Sequence, residues 1–185
     1  MTEIEARTQI IEWIKNDEYR LTILQTAQRL NLNDWCIGAG FIRNFVWDKI
    51  NNKSSLTKLN DVDLVYYDEN DLSSQTDLRY EDELNGQFEV NWSIKNQARM
   101  HIKNNATKYI STADAMSYWP ELETAVGIRL NGDGTFELVA PFGVSRLFDN
   151  TITMNERLRN KQDFHDRIKN KRWLQTWAAL KIISS

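Results

Sequence analysis

Several residue types are scarce in this 185-residue chain, and each scarcity excludes something. The single cysteine, Cys36, excludes an internal disulfide framework and fits a reducing compartment. The two histidines, His101 and His165, lie far apart and form no zinc-binding spacing with that cysteine. No apolar run approaches the roughly 18 residues that span a membrane, and the charged N-terminus has no signal-peptide core. We therefore expect a cytoplasmic protein without a membrane partner.

An excess of positive charge is also absent. The net charge is -3, whereas proteins that hold a long nucleic acid through many phosphates are usually basic. We therefore expect no long nucleic acid as a partner, although a few local cations are enough to bind a small anion. Neither a Walker sequence nor a Rossmann glycine pattern is present.

What is present indicates one soluble domain over residues 1–185, because hydrophobic residues make up 41% and charged residues 26% of the chain. Hydrophobic spacing predicts helices at 3–16, 18–31, from Gly40 onward, across NQARMHIKNN, from Ser111 to Trp119, and at about 156–169 and 171–183. Strands are predicted in DWCIG, DVDLVYYD, QFEVNWSI and the hairpin GIRLNGDGTFELVA, with polar loops at NNKSSLTKLN and 68–77. This order predicts an α/β or α+β fold, in which a mixed sheet is flanked by N-terminal helices (1–32) and C-terminal helices (155–185).

Two of the chain's seven glycines lie in Gly38-Ala39-Gly40, between a predicted strand and a predicted helix. One interpretation is a tight strand-to-helix turn. The other is a backbone that approaches a phosphate, because a helix N-terminus attracts anions and glycine has no Cβ in the way. Arg43 and Asn44, in the first turn of that helix, face either the phosphates or the solvent.

An Asp-x-Asp pair, Asp61 and Asp63, opens the next predicted strand. Residues i and i+2 of a strand project to one face about 6 to 7 Å apart, so the two carboxylates repel each other unless a cation lies between them. Mg²⁺ favours such oxygen ligands together with phosphates. The alternative is a pair of solvated acids at a strand edge.

A half-polar strand, Glu89 to Ser93, leads into a segment rich in amides and cations. That segment contains Lys95, Asn96, Gln97, Arg99 and His101. Such side chains can read a base edge or hold a phosphate. The alternative is a helix start capped by Asn96, with a solvated charged face.

Two C-terminal features are interpreted as structural. The mixed-charge stretch RNKQDFHDRIKNKR is typical of a solvated helix face. Trp173 and Trp177, four residues apart, are more typical of helix packing than of a stacking platform.

The run GAGFIRNFVWDKI…NDVDLVYYD resembles the glycine motif and Asp-x-Asp pair of the nucleotidyltransferase superfamily, which includes poly(A) polymerases, tRNA CCA-adding enzymes and antibiotic nucleotidyltransferases. WSIKNQARMH and AVGIRL…APFGVSRLF are similar to a family of bacterial nucleotidyltransferase-like proteins, and the resemblance extends over about residues 30–180. It implies a nucleotidyltransferase-like fold and transfer of a nucleoside monophosphate from an NTP to a small-molecule or polymer hydroxyl. A protein that binds nucleotide or serves as a scaffold, without catalysis, is the second hypothesis.

The resemblance also implies roles for individual residues. Gly38, Ala39 and Gly40 would shape the triphosphate loop, with Arg43 facing the phosphates, and Asp61 and Asp63 would be the catalytic residues that bind one or two Mg²⁺ ions. Nucleotide contacts would come from the segment Ser93, Lys95, Asn96, Gln97 and Arg99. Relatives often place a third acid directly after the tryptophan of this motif, where this chain has Ser93, and Glu89 lies about 13 Å away along the strand.

Overall fold

The computed structural model describes residues 1–103, 106–157 and 161–184. The helices are α1 (Glu3–Lys15), α2 (Glu18–Gln28), α3 (Gly40–Ile50), α4 (Ser74–Asn85), α5 (Met100–Lys103), α6 (Thr112–Met116), α7 (Lys161–Lys171) and α8 (Trp173–Thr176). Short 3₁₀ turns lie at Gln97–Arg99 and Ser145–Phe148. The strands are β1 (Cys36–Gly38), β2 (Val62–Tyr66), β3 (Trp92–Asn96), β4 (Gly127–Leu130), β5 (Phe136–Val139), β6 (Thr151–Thr153) and β7 (Lys181–Ile183).

A mixed five-stranded sheet, in the order β3-β2-β1-β4-β5, is the centre of the fold. Strand β2 runs parallel to β3, and the other neighbours are antiparallel. Because parallel neighbours need a crossover connection, α4 carries the chain from β2 back to the start of β3. The predicted mixed sheet flanked by helices is therefore confirmed.

The main core lies between the sheet and helices α1, α2 and α3. Ile10, Ile23, Phe45 and Ile128 are fully buried there. A second apolar cluster joins α3 to the C-terminal segment, and Trp47 lies at its centre beside Trp173 and Trp177. This second cluster places the C-terminal helices over the end of β1 and the start of α3.

Two predictions in the middle of the chain were wrong. The predicted loop 68–77 runs into helix α4, whose buried residues are Thr76, Asp77 and Leu84. A helix that buries polar groups does not produce an apolar period, so the pattern was invisible in the sequence. The strand predicted from residue 87 begins only at Trp92, because the residues before it form local turns. The Val90 amide donates to the Phe88 carbonyl oxygen and the Trp92 amide to the Val90 carbonyl oxygen, both at 3.0 Å.

The predicted helices at both ends had different outcomes. The N-terminal pair is confirmed as α1 and α2. The predicted helix 156–169 appears as α7, with 158–160 lying outside the described residues. The predicted helix 171–183 was wrong: Arg172 adopts a φ of 53° and ends α7, and residues Lys181–Ile183 pair with β6 as a parallel strand instead.

The two shorter predicted helices and the hairpin need only small changes. NQARMHIKNN forms a 3₁₀ turn followed by α5, and Asn104 and Asn105 lie outside the described residues. The helix predicted from Ser111 ends at Met116, with the Ser111 hydroxyl accepting a hydrogen bond from the Asp114 amide. The β4–β5 hairpin is confirmed. Within the described part of the chain, no helix combines the length and the apolar character needed to cross a membrane.

Candidate nucleotide and metal site

The turn between β1 and α3 separates the roles of its two glycines. A Cβ on Gly38 would lie 3.0 Å from the ring of Trp119 and 3.4 Å from the carbonyl oxygen of Val126, so this glycine makes room for protein. A Cβ on Gly40 would meet the Asn44 amide nitrogen at 3.1 Å, on the side of the turn that faces a cavity. The tight-turn interpretation therefore describes Gly38, whereas Gly40 lines the cavity.

Ala39 between them takes the strained conformation of the turn. Its φ is 54°, a region that favours glycine, and its amide donates to the Val126 carbonyl oxygen at 2.9 Å. Helix α3 starts at the next residue and has no side-chain cap. Its first amides are therefore available to an anion in front of the turn.

The Asp-x-Asp pair stands at the start of β2. Asp61 is exposed, and Asp63 is half-buried beside Ser93, its register partner on β3. The pKa of Asp63 is raised, chiefly by burial and then by the charge of Asp61, while a hydrogen bond with Ser93 and the charges of Lys171 and Arg43 act in the opposite direction. A cation close to both carboxylates would relieve this repulsion.

Arg43 is a buried cation beside these acids. Burial lowers the pKa of its guanidinium to about 10. The group donates to the Thr124 hydroxyl at 2.5 Å and to the Asn44 side-chain oxygen at 2.9 Å, and it lies 4.3 Å from the ring centroid of Trp173. Among the described residues no carboxylate lies within ion-pair distance of it. A buried cation without a paired carboxylate favours an anionic ligand.

Two adjoining cavities meet at Asp63. The smaller, of about 350 Å³, is bordered by Gly40, Arg43, Asn44, Asp61, Asp63 and Lys171. The larger, of about 670 Å³, is bordered on the sheet side by Lys95, Gln97, Tyr118 and Trp119 and on the other side by α7. Together they have the size of a small-molecule site.

Helix α7 covers this cleft with its polar face. Asp163, Arg167 and Asn170, at helical spacing of four and three residues, line the larger cavity. Phe164 and Ile168 lie on the opposite, buried face in the Trp47 cluster. The mixed-charge stretch predicted to be a solvated face is therefore a wall of the cleft along one side, and that prediction was wrong in part.

The structure separates the predicted nucleotide-contacting residues into two groups. Lys95 and Gln97 line the larger cavity, where the Lys95 ammonium also pairs with Glu81 at 2.8 Å. Asn96 is fully buried, and its amide donates to the backbone oxygens of Asp68 and Asp71, both at 2.7 Å. Its side-chain oxygen accepts from the amides of Asp68 and Ala98, which confirms the predicted capping role.

Arg99 and His101 also use their side chains within the protein. Arg99 forms an ion pair with the buried Asp77, which the Tyr66 hydroxyl also contacts at 2.8 Å. The His101 ring lies 2.9 Å from the Ala98 carbonyl oxygen. Neither residue borders the two cavities, so both belong to the framework behind β3.

The donor groups at the Asp pair are too few for a site in which the protein supplies every metal ligand. They suit one Mg²⁺ ion with few protein ligands. Within the described ranges, no group of three or more His, Cys, Asp and Glu side chains is placed to hold a metal. Mg²⁺ commonly uses one or two carboxylates, with phosphate oxygens and water as its remaining ligands. Asp61 and Asp63, with the Ser93 hydroxyl beside them, provide that smaller set.

Sequence reasoning missed several residues of the cleft. Thr124, Arg167 and Lys171 border the cleft. Asp48 connects two of its lining residues, because its carboxylate accepts hydrogen bonds from the Thr57 amide at 2.6 Å and from the Trp177 indole at 2.9 Å. Trp173 and Trp177 pack on Trp47, which confirms the packing interpretation, although both also line the smaller cavity. The charged C-terminal stretch was the sequence feature that could have pointed to Arg167 and Lys171. Only the tertiary structure shows which face of that helix lines the cleft.

Comparison with solved structures identifies similar folds. One structure, described as an NMR structure that reveals a CCA-adding enzyme head domain, shares 32% identity with a TM-score of 0.83 and covers 96% of each chain. A CCA-adding enzyme in complex with CTP shares 16% identity with a TM-score of 0.61, and a tRNA-processing enzyme with CTP shares 18% with a TM-score of 0.52. These two matches cover 97% and 88% of this chain but only 43% of theirs, and they show the fold alone.

Comparison with curated proteins finds no match. The sequence profile of a family described as Nucleotidyltransferase matches residues 25–182, which include the glycine turn, the Asp pair, β3 and α7. The resemblance seen in the sequence motifs is thereby confirmed. The chain belongs to the nucleotidyltransferase family.

Proposed function

We propose that the cleft binds a Mg²⁺-bound nucleoside triphosphate and transfers its nucleoside monophosphate to a hydroxyl acceptor. The observation that carries this proposal is the charge arrangement of the smaller cavity. Its walls hold two carboxylates, Asp61 and Asp63, and three cations, Arg43, Arg167 and Lys171. A metal–triphosphate complex presents both signs of charge, so it satisfies both sets of groups at once.

The phosphates are assigned to the end of the cavity near α3. Gly40 lines the cavity there, the first amides of α3 are available, and the guanidinium of Arg43 has no carboxylate partner among the described residues. Asp61 and Asp63 are assigned to the metal ion, which when bound neutralises phosphate charge and orients the α-phosphate. The Ser93 hydroxyl lies beside the Asp63 carboxylate and favours its charged form.

The reaction follows from the chemistry of the triphosphate. The acceptor oxygen forms a bond to the α-phosphorus, and the bond from that phosphorus to the bridging oxygen breaks. The bonding electron pair leaves with pyrophosphate, and the hydroxyl proton passes to water. This chain's contribution is positioning and charge stabilisation, which carry most of the catalysis in phosphoryl transfer.

The larger cavity is assigned to the nucleoside or the acceptor. Lys95 and Gln97 offer hydrogen-bond donors there, and Tyr118 and Trp119 offer aromatic surface. The similar solved structures include a CCA-adding enzyme and tRNA-processing enzymes. The expectation that a long nucleic acid is not a partner has no support from them, so we include tRNA among the acceptors to be tested.

A second candidate function is nucleotide binding without transfer. Ser93 favours it, because relatives often carry an acid at this position, and a hydroxyl is a weaker metal ligand than a carboxylate and is no base at neutral pH unaided. The two candidates differ in one product, since only transfer releases pyrophosphate.

The test is calorimetric titration of ATP, CTP, GTP and UTP, each with and without Mg²⁺. We expect Mg²⁺-dependent binding of at least one of them by the wild type and its loss in Asp61→Asn/Asp63→Asn. Asp82→Asn/Glu83→Asn is a matched control that removes two exposed acids of α4. Binding that is unchanged in the Asp61/Asp63 variant would contradict the assignment. Pyrophosphate release with a tRNA or small-molecule acceptor would then separate transfer from binding.

A further inference from the structure

The junction of the two cavities is defined by few residues. Ala39, Asp63, Thr124 and Arg167 line both cavities. Of these four, Asp63 is the one anion and Arg167 the one cation. A ligand that extends from one cavity into the other must pass between them.

Arg167 is held in this place by a buried acid. Its Nε donates to Glu121 Oε1 at 2.7 Å and its Nη2 to Glu121 Oε2 at 3.3 Å, and the Glu121 side chain is 1% exposed. The pair fixes one edge of the guanidinium. Within the part of the chain that the structure describes, Nη1 has no hydrogen-bond partner, and the Arg167 side chain is 37% exposed.

The next turn of α7 places a second cation further along the cleft. Lys171, four residues after Arg167, borders only the smaller cavity, together with Arg43 and Asn44. The cations of this wall therefore lie at two separate places, with Arg167 at the junction and Lys171 on the side assigned to the terminal phosphates.

We propose that Arg167 is a catalytic residue whose guanidinium contacts the α-phosphate at the junction of the two cavities. This inference rests on the proposed function. If the terminal phosphates occupy the smaller cavity, the α-phosphate lies at the junction whether the larger cavity takes the nucleoside or the acceptor. Arg167 then stabilises the negative charge on the α-phosphoryl oxygens while the acceptor bond forms and the bond to pyrophosphate breaks. Glu121 is the positioning residue that aims it.

The experiment compares two ligands that carry different parts of the triphosphate. One is the monophosphate of whichever nucleotide binds tightest in the titration above, and the other is pyrophosphate, both with Mg²⁺. Arg167→Gln is expected to weaken monophosphate binding by about tenfold or more, the usual effect of losing a charged hydrogen bond, and to leave pyrophosphate binding unchanged. Lys171→Gln is expected to give the reverse pattern. Lys169→Gln, an exposed cation of the same helix outside both cavities, is the control and should change neither.

Folding of the variants is checked separately, because Arg167→Gln leaves the buried Glu121 without its ion-pair partner and can destabilise the protein. Thermal melting establishes that each variant is folded, and Glu121→Gln/Arg167→Gln replaces the ion pair by two neutral amides if the single variant is not. Equal losses for monophosphate and pyrophosphate, or no loss for monophosphate, would overturn the role of Arg167. Absence of any nucleotide binding by the wild type would contradict the proposed function itself, and with it this inference.

Discussion

Replacing Arg43 by methionine is expected to reduce ligand affinity strongly while changing stability little. The guanidinium is fully buried beside the smaller cavity, and burial lowers its pKa from 12.5 to about 10. At about 1.4 kcal/mol per pH unit, holding this charge inside the protein costs on the order of 3 kcal/mol at neutral pH. Both the folded and the unfolded chain carry the proton at that pH, so the whole cost is present there, and it is relieved as the pH rises past the folded pKa.

The interactions of Arg43 offset this cost. Its hydrogen bonds to Thr124 and Asn44 contribute roughly 1 kcal/mol each. Its contacts with the rings of Trp47 and Trp173 contribute roughly 1 to 2 kcal/mol each in a desolvated setting. These contributions exceed the cost by roughly 1 to 3 kcal/mol, and methionine would recover part of that surplus by packing against the same two rings. We therefore expect Arg43→Met to change the free energy of unfolding by less than about 1.5 kcal/mol.

Arg20 provides the matched control, because it is buried but paired. Its guanidinium lies 3.0 Å from the Asp17 carboxylate, and it does not border either cavity. Arg20→Met leaves Asp17 without its partner and should destabilise the protein by about 3 kcal/mol, while ligand affinity stays unchanged. Urea unfolding measures both stabilities.

Calorimetry with the tightest-binding Mg²⁺–NTP measures the other half of the prediction. Arg43→Met should weaken this ligand by about tenfold to a hundredfold, through the loss of charged hydrogen bonds to phosphate. If Arg43→Met is strongly destabilised but binds the Mg²⁺–NTP with unchanged affinity, the assignment of Arg43 to the phosphates is wrong. Arg43 would then be a structural residue and not a phosphate ligand.

Three further predictions use the same geometry. Gly38→Ala should destabilise the protein by about 1 to 3 kcal/mol, because its Cβ would meet Trp119 at 3.0 Å. Gly40→Ala, in contrast, should mainly weaken nucleotide binding. Urea unfolding and calorimetry on both variants separate the two effects. Ser93→Asp should tighten Mg²⁺ binding by adding a third carboxylate next to the Asp pair, and Ser93→Asn is the neutral control. A folded Ser93→Asp variant whose Mg²⁺ affinity by calorimetry does not increase would contradict the placement of residue 93 beside the Asp pair. Cys36 should resist iodoacetamide at mildly alkaline pH until denaturant is added. Burial and, to a smaller extent, a neighbouring carboxylate raise the pKa of its thiol. Rapid labelling of the native protein, detected by mass spectrometry, would contradict this burial.

The parts of the fold that follow from hydrophobic spacing were predictable. Helices α1, α2 and α3 and the β4–β5 hairpin carry their apolar residues at regular intervals, so their positions could be read without a structure. Helix α4 could not, because its buried face includes Thr76 and Asp77. Strand β7 could not either, because it forms only through pairing with β6, 30 residues earlier in register.

The candidate site divides in a similar way. Gly40, Asp61 and Asp63, which border the smaller cavity, were proposed from the sequence because their residue types and spacing suit a triphosphate and a metal ion. Asn96 and Arg99 were assigned to nucleotide binding from their residue types and from the family resemblance, and the structure places both side chains in internal networks. The cap formed by Asn96 was the alternative interpretation of this segment. The ion pair of Arg99 was not predictable, because its partner Asp77 lies in the helix that the sequence did not reveal.

The C-terminal wall is the part of the cleft that only the tertiary structure shows. Arg167 and Lys171 belong to a charged stretch that has the pattern of any solvated helix face. They become cleft residues because Phe164 and Ile168, on the other face, pack into the Trp47 cluster and turn the charged side toward Asp63. Long-range packing of this kind leaves no local signal in the sequence.

In the proposed complex, the Asp61/Asp63 pair holds the metal ion of the bound nucleotide. Mn²⁺ can replace Mg²⁺ and broadens the NMR signals of nearby amides, so ¹H–¹⁵N spectra recorded with Mn²⁺ and the tightest-binding NTP locate the ion directly. We expect broadening centred on the amides of Asp61 to Leu64 and of Ser93, and its loss in Asp61→Asn/Asp63→Asn. Broadening centred on another acidic surface, or broadening at the pair that persists in the double variant, would contradict this metal assignment.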